Sequence, residues 1–471
     1  MKKKADFVHP YIPNSVRHIK DKMLREIGVE TIEDLYKDIP EELRFKEEMK
    51  LPPPITSECR LERHIKKILG KNLNCEENLS FLGGGCTRHH VPAICDEINR
   101  RSEFLTAYAG EPYEDHGRFQ ALFEYQSLMA ELLDMDVVNV PTYDWCQSAG
   151  TVIRMAERIT GREKILVSAH ISPERSAAVN NYCRPVMDVI SIAHDSRTGW
   201  LDLEDLRSKM DSGTAGFYFE NPSYLGILET QVREIADIIH GPGGLVLTGV
   251  DPISLGVIAP PVQYGADIVC GDIQSLGIHM NYGGGQGGFI ATRDEEKFVM
   301  EYPSRLFGIT KTMVEGELGF GDVAYERTSF GQREKGKEFV GTHAALWGIT
   351  AAVYLSLMGP KGMTELGKNV LQKAQYTAKR LSALPGVAAP RFEAPFFKEF
   401  TVDFSGTGLT VKKINDRLLK EGIFGGIDLS GVFPECGQSA LLCLTEQHTL
   451  DDIERLVRAL AGIFEGEGRN K

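Results

Sequence analysis

The sequence predicts an α/β protein built on one large parallel or mixed sheet, with a small α+β domain at its carboxyl end. Between about Arg118 and Arg293, short apolar runs alternate with segments of helical spacing. That is the pattern of strands buried on both faces and joined by helical crossovers. Seven such runs occur, which suits one large sheet better than two small ones. After Arg333 the chain turns helical and closes on a strand–helix–strand–helix block. A length of 471 residues, 42% of them hydrophobic, is enough for a sizeable core.

Residues 1 to 117 read as a helical extension followed by a glycine-rich loop. Ser15–Gly28 and Thr31–Phe45 carry apolar positions at helical spacing, and Thr31-x-x-Asp34 resembles an N-terminal cap. Pro52-Pro53-Pro54 breaks the chain before a third amphipathic helix, about Glu58–Leu69. Residues 118 to 335 form the large α/β domain. Its strands are expected at Val137–Val140, Lys164–Ser168, Val189–Ala193, Gly216–Glu220, Leu245–Val250, Ile268–Cys270 and Gly288–Thr292. Helices are expected at Thr151–Thr160, Leu203–Met210 and Gln231–His240. Residues 336 to 471 begin with two helices, Ala344–Met358 and Lys361–Leu384, parted by Gly359-Pro360. The final block runs Phe397–Asp403, Val411–Glu421, Ala440–Thr445 and Leu450–Phe464.

The balance of 53 Lys+Arg against 66 Asp+Glu gives 53 − 66 = −13, which argues against a nucleic-acid surface or an anionic membrane. No run approaches the roughly 18 apolar residues of a bilayer span. The nine cysteines form no CxxC pair and no zinc-like spacing, as expected of reduced thiols in a cytoplasmic protein. His89-His90 and His116 lack an HExxH frame or a partnered carboxylate set, so no metal site is expected.

Four places could carry chemistry. Tyr143-Asp144-Trp145-Cys146-Gln147-Ser148 lies between a strand and a helix, where backbone N–H groups beside Ser148 form either a phosphate cradle or an ordinary capped turn. Asp251 in Val250-Asp251-Pro252 ends a strand and could hold a protonated ring nitrogen or merely cap a turn. Gly283–Gly288 satisfies GxGxxG but precedes a strand, so it reads as a tight loop near a ligand or partner backbone. Phe81–Pro92, with three glycines followed by Thr87, Arg88, His89 and His90, reads either as part of a site or as a surface loop.

Together these motifs resemble the glycine decarboxylase (glycine cleavage system P-protein) family, in the amino-terminal half found where that protein is split in two. The matching residues begin with His9-Pro10-Tyr11-Ile12-Pro13-Asn14 and continue with Phe81–Pro92, Arg101–Tyr108 and Gly117-x-x-Gln-Ala-Leu-Phe-Glu-Tyr-Gln126. Further on come Tyr143-Asp144, Asn221-Pro222-Ser223-Tyr224-Leu225-Gly226, Asp251–Gly256, Tyr264–Val269, Gly271–Ile278, Arg333-Glu334-Lys335 and Leu355–Gly362.

The resemblance implies fold type I of the pyridoxal-phosphate enzymes, the aspartate-aminotransferase-like fold. It implies decarboxylation of glycine and passage of the aminomethyl group to a lipoyl carrier, the H-protein. Where that fold places its Schiff-base lysine, this chain has Ile273-Gln274-Ser275, and no lysine lies between Arg233 and Lys297. Lys311 is the nearest outside candidate. The resemblance to the split form implies that the cofactor is carried on a lysine of a P-protein-like second subunit, in an α2β2 assembly. His89, His90, Tyr108, Glu111 and His116 are expected at the shared entrance. Tyr143, Asp144, Ser148 and Asp251 are expected at this half's counterpart of the cofactor site. Gly110–Gly117 departs from the family pattern, which leaves open a diverged paralogue acting on another small amino acid or amine with a lysine-bearing partner, or a non-catalytic pseudoenzyme.

Overall fold

The computed structural model describes residues 11–12, 15–45, 47, 49–105, 117–303, 305–329, 331–338 and 344–468. It parts into two compact units, one up to Asn72 and one from Leu73.

In the first unit, helix Arg17–Ile27 closes at Gly28, and helix Glu58–Leu69 follows the proline run. The cap at Thr31 forms as the spacing predicts: Asp34 Oδ2 accepts from the Thr31 N–H at 2.9 Å, and the Asp34 N–H returns to Thr31 Oγ1 at 3.3 Å. The helix expected over Thr31–Phe45 does not form. Two short 3-10 turns, Glu33–Tyr36 and Glu41–Leu43, stand there instead, because Pro40 has no N–H to donate and its ring would clash with the preceding turn.

The second unit is organised by a seven-stranded sheet. Its spatial order is Val137–Val138, Gly288–Thr292, Ile268–Asp272, Leu245–Val250, Thr214–Glu220, Lys164–Ser168, Asp188–Ile192. The last five in this order pair in parallel; Gly288–Thr292 pairs antiparallel with both of its neighbours. Thr214–Glu220 is buried along its whole length, as its unbroken apolar character requires. Apolar side chains cover the sheet on both faces: Leu166, Phe217 and Val269 in one cluster, Ile165, Tyr218 and Ile268 in the other.

The small domain is a three-stranded antiparallel sheet, Glu399–Asp403, Ser439–Cys443 and Ile427–Asp428, packed with helices Val411–Lys420 and Leu450–Gly468. The long helix Ala345–Ser382 leads into it and breaks at Gly359, the predicted point. Strand Leu79–Ser80 pairs in parallel with Ile423–Phe424, so the chain just before the glycine-rich loop is anchored on the small domain. Elements not expected from the sequence include helices Ala93–Asn99, Phe119–Leu133 and Pro173–Cys183, the hairpin Phe307–Lys311/Leu318–Asp322, and the short strands Leu79–Ser80, Ile423–Phe424 and Ile427–Asp428.

Candidate active site

Three carboxylates stand at the ends of three neighbouring parallel strands. Glu220 closes Thr214–Glu220, Asp272 closes Ile268–Asp272, and Asp251 follows Leu245–Val250. Loops converge at this edge of an open α/β sheet, and ligands bind there. The cavity is also lined by Trp145 and Arg175 from two helix starts, by Gln274 and Ser275, by Gly84 and Gly85, and by Lys398 and Glu399 from the small domain.

Ion pairs fill much of it. Arg175 grips Glu220 with both arms, Nε to Oε1 at 2.5 Å and Nη2 to Oε2 at 2.7 Å, and lies 4.2 Å from the centre of the Trp145 ring. The Trp145 indole donates to Tyr218 Oη at 3.1 Å, and that hydroxyl donates to Glu220 Oε1 at 3.1 Å. Lys398 Nζ meets Asp251 Oδ2 at 2.6 Å. Burial alone would raise Asp251 and lower Lys398; their mutual attraction wins, so Asp251 sits below and Lys398 above its ordinary range. Glu399 Oε1 accepts from the Gly84 N–H at 2.6 Å. Gly84 has φ +84°, and a Cβ there would come within 2.6 Å of Ile427, so this close approach requires glycine.

Asp272, like Glu399, has no cation paired with it among the described residues. Its Oδ1 accepts from the Gln274 N–H at 2.7 Å, while Oδ2 and the Ser275 hydroxyl are buried with no partner. Burial pushes its pKa up to about 7, against the pull of backbone hydrogen bonds. A carboxyl raised from 3.8 in this way binds its proton more tightly folded than unfolded, so its contribution falls as pH rises from about 4 to about 7. Asp272→Asn is therefore expected to be the more stable protein above pH 4. Its advantage should grow to at most about 4 kcal/mol by pH 7, at ~1.36 kcal/mol per unit. Urea midpoints of both proteins at pH 4.5 and 7.5 check this; a gap independent of pH would contradict it.

Beside the cavity runs a groove of about 800 Å³, lined among others by Cys86, Arg88, His89, His90, Gln274, Ile278, Met280 and Tyr282. His89 is buried with Nδ1 2.8 Å from Glu446 Oε2, and the His90 N–H donates to Glu446 Oε1 at 2.5 Å. Burial would raise Glu446, but His89 and the His90 N–H hold it down at about 2.

The expected site residues are thus divided. Asp251 lines the cavity, and His89 and His90 line the groove. Asp144 caps its own helix, Oδ1 accepting from the Gln147 N–H at 2.7 Å. Ser148 is buried against Thr142, hydroxyl to hydroxyl at 2.9 Å, and Tyr143 is half-exposed; neither is among the cavity's lining residues. Tyr108, Glu111 and His116 lie outside the described residues. Lys311 is exposed on the hairpin and does not line the cavity. Arg175, Glu220, Lys398 and Glu399 were not singled out from the sequence. A charge ending the apolar run Thr214–Glu220 was the one local sign of them.

The sheet order, and a carboxyl-edge cavity shared with a small domain, define the fold of the type I pyridoxal-phosphate enzymes. A Burkholderia pseudomallei sphingosine-1-phosphate lyase shares it with a TM-score of 0.63 at 16% identity, over 91% of this chain and 94% of its own; that likeness shows the fold alone. Residues 9–460 match the glycine cleavage system P-protein family, and the chain belongs to that family. It is 40% identical to a Staphylothermus marinus protein named probable glycine dehydrogenase (decarboxylating) subunit 1, over 97% of this chain and 98% of the relative. An Aeropyrum pernix protein of the same name is 39% identical, over 97% and 100%. The crystal structure of an inhibitor-bound glycine decarboxylase (P-protein) superposes with a TM-score of 0.82 at 32% identity, over 97% of this chain and 100% of that one.

The residues of this chain's own cavity do not fit pyridoxal phosphate. Ser275 and Gln274 follow Asp272 and offer no amine, and both amide groups of Gln274 are spent on Thr87. The carboxylate suited to a ring nitrogen, Asp251, is paired with Lys398. The helix start suited to a phosphate already carries the Asp144 carboxylate, and Trp145 packs beside Glu220, both within 3.0 Å of where a Cβ on Gly249 would stand.

Proposed function

We propose that the chain is the subunit without the Schiff-base lysine in a glycine dehydrogenase (decarboxylating) complex. One observation carries this reading: in a P-protein frame that spans nearly the whole chain, the cofactor cradle is closed by the chain's own ion pairs. The cofactor sits on a lysine of a second, P-protein-like subunit, a partner supported by the relatives' name "subunit 1". Pyridoxal phosphate supplies there an electron sink for the carbanion left when CO₂ departs. This chain supplies a wall of the entrance. His89, held by Glu446, and His90 line the groove, and the exposed His90 imidazole stands at that wall for proton transfer. Tyr108, Glu111 and His116 are assigned to the same entrance. Transfer to a lipoyl carrier H-protein, an α2β2 stoichiometry and a cytoplasmic location complete the reading. No helix among the described residues is long and apolar enough to cross a membrane.

The isolated chain mixed with pyridoxal phosphate is expected to show no aldimine absorbance and no lysine labelled by borohydride. Co-expression with the lysine-bearing subunit is expected to give a yellow complex that exchanges labelled bicarbonate into glycine in the presence of lipoyl carrier. A chain that turns yellow alone, or a complex with no glycine-dependent exchange, would overturn the reading.

A further inference from the structure

The loop from Gly83 to Val91 forms one wall of the groove, and the groups that hold it come from the cradle. Gln274, at the place of the missing lysine motif, clasps Thr87 as a neighbouring strand would. Its Oε1 accepts from the Thr87 N–H at 3.0 Å, and its Nε2 donates to the Thr87 carbonyl at 3.0 Å and to the Ile278 carbonyl at 3.0 Å. Lys398 Nζ, anchored on Asp251, lies 3.5 Å from Thr87 Oγ1 and 3.5 Å from His89 Nε2. The other ring nitrogen of His89 meets Glu446, which also accepts from the His90 N–H. A largely buried chain of polar side chains therefore runs Asp251, Lys398, His89, Glu446, from the end of a sheet strand to the groove. It links the large domain, through Asp251, to the small domain, through Lys398 and Glu446, with the glycine-rich loop's His89 between them.

We infer that Lys398 is a positioning residue of the assembled enzyme. It has become the cation of a cradle that holds no cofactor, and it fixes the Gly83–Val91 loop so that His89 and His90 face the groove. The inference rests on the proposed function for its kinetic consequence, while its structural consequence belongs to the isolated chain. Lys398 is nearly buried, and deleting it strands Asp251 as well as freeing the loop, so a single variant would mix two effects. Lys398→Met with Asp251→Leu removes both charges together and leaves only the loop without its anchor.

The test compares Lys398→Met, Lys398→Arg and the double variant in two measurements. Hydrogen exchange of residues 81–92 in the isolated chain is expected to quicken about tenfold or more in Lys398→Met and in the double variant, with strand Thr214–Glu220 unchanged. In the reconstituted complex, the KM for glycine is expected to rise about fivefold or more in both, with kcat changed less than about twofold, and Lys398→Arg to recover most of the loss. Unchanged loop exchange in Lys398→Met overturns the inference. So does a double variant with wild-type loop protection and KM, since Lys398 would then be a structural counter-charge only. If the wild-type complex shows no glycine-dependent exchange, the proposed function falls, and loop exchange still decides the role of Lys398.

Discussion

Arg175→Leu is expected to destabilise the protein by about 3–5 kcal/mol, because it leaves the Glu220 carboxylate buried without its cation. Glu220 has 0% of its side chain exposed, and Arg175 supplies both of its short charge-assisted bonds. The Tyr218 hydroxyl at 3.1 Å is too weak a donor to hold a full charge by itself. Arg175 also covers the Trp145 ring, so the variant loses a cation–π contact of about 1 kcal/mol. Arg175→Leu combined with Glu220→Leu should recover most of the loss, since a buried ion pair replaced by apolar residues of similar volume is often neutral. Guanidinium denaturation of the single and double variants reads this directly. If the double variant is no more stable than Arg175→Leu, the loss is one of packing and the charge argument fails.

Gly226→Ala should cost about 3 kcal/mol or more, through two additive causes. Gly226 sits at φ +86°, where an alanine is strained whatever the space around it. A Cβ would also stand 2.1 Å from the Glu399 carbonyl oxygen, and the backbone of strand Glu399–Asp403 cannot swing aside as a side chain could. That strand begins beside Lys398, so the clash pushes on the cradle itself. Gly316→Ala is the control: it has φ +84° with nothing within 4 Å, and should cost only the conformational strain of about 1 kcal/mol. Equal losses in the two variants would mean that the strand yields freely. The contact would then not hold the small domain in place.

Much of the sheet was legible because its signal is local. The seven apolar runs coincide with the seven strands, each to within a few residues; the five inner strands are buried on both faces and so largely apolar, while the edge strands Val137–Val138 and Asp188–Ile192 are partly buried. Asp251 could be found because a charged residue directly after such a run lies at the carboxyl edge. Where local signals competed, the reading failed. Helical spacing over Thr31–Phe45 lost to Pro40, and Ser148, beside a helix start, turned inward to Thr142. Arg175 was hidden for a different reason: its partner Glu220 is 45 residues away, and nothing in Ser172-Pro173-Glu174-Arg175 tells a buried arginine from a solvated one.

The sequence by itself determined the family, the sheet and the absence of lysine from the segment after Asp272, because those are properties of ordered motifs and of what a short stretch lacks. Only the tertiary structure decided what stands in the cradle instead. Lys398 reaches Asp251 and Thr87 from another domain, the last of these 311 residues distant in the chain. A charge is buried at tolerable cost only where folding delivers its counter-charge, and that delivery is written in the packing of two domains rather than in either segment.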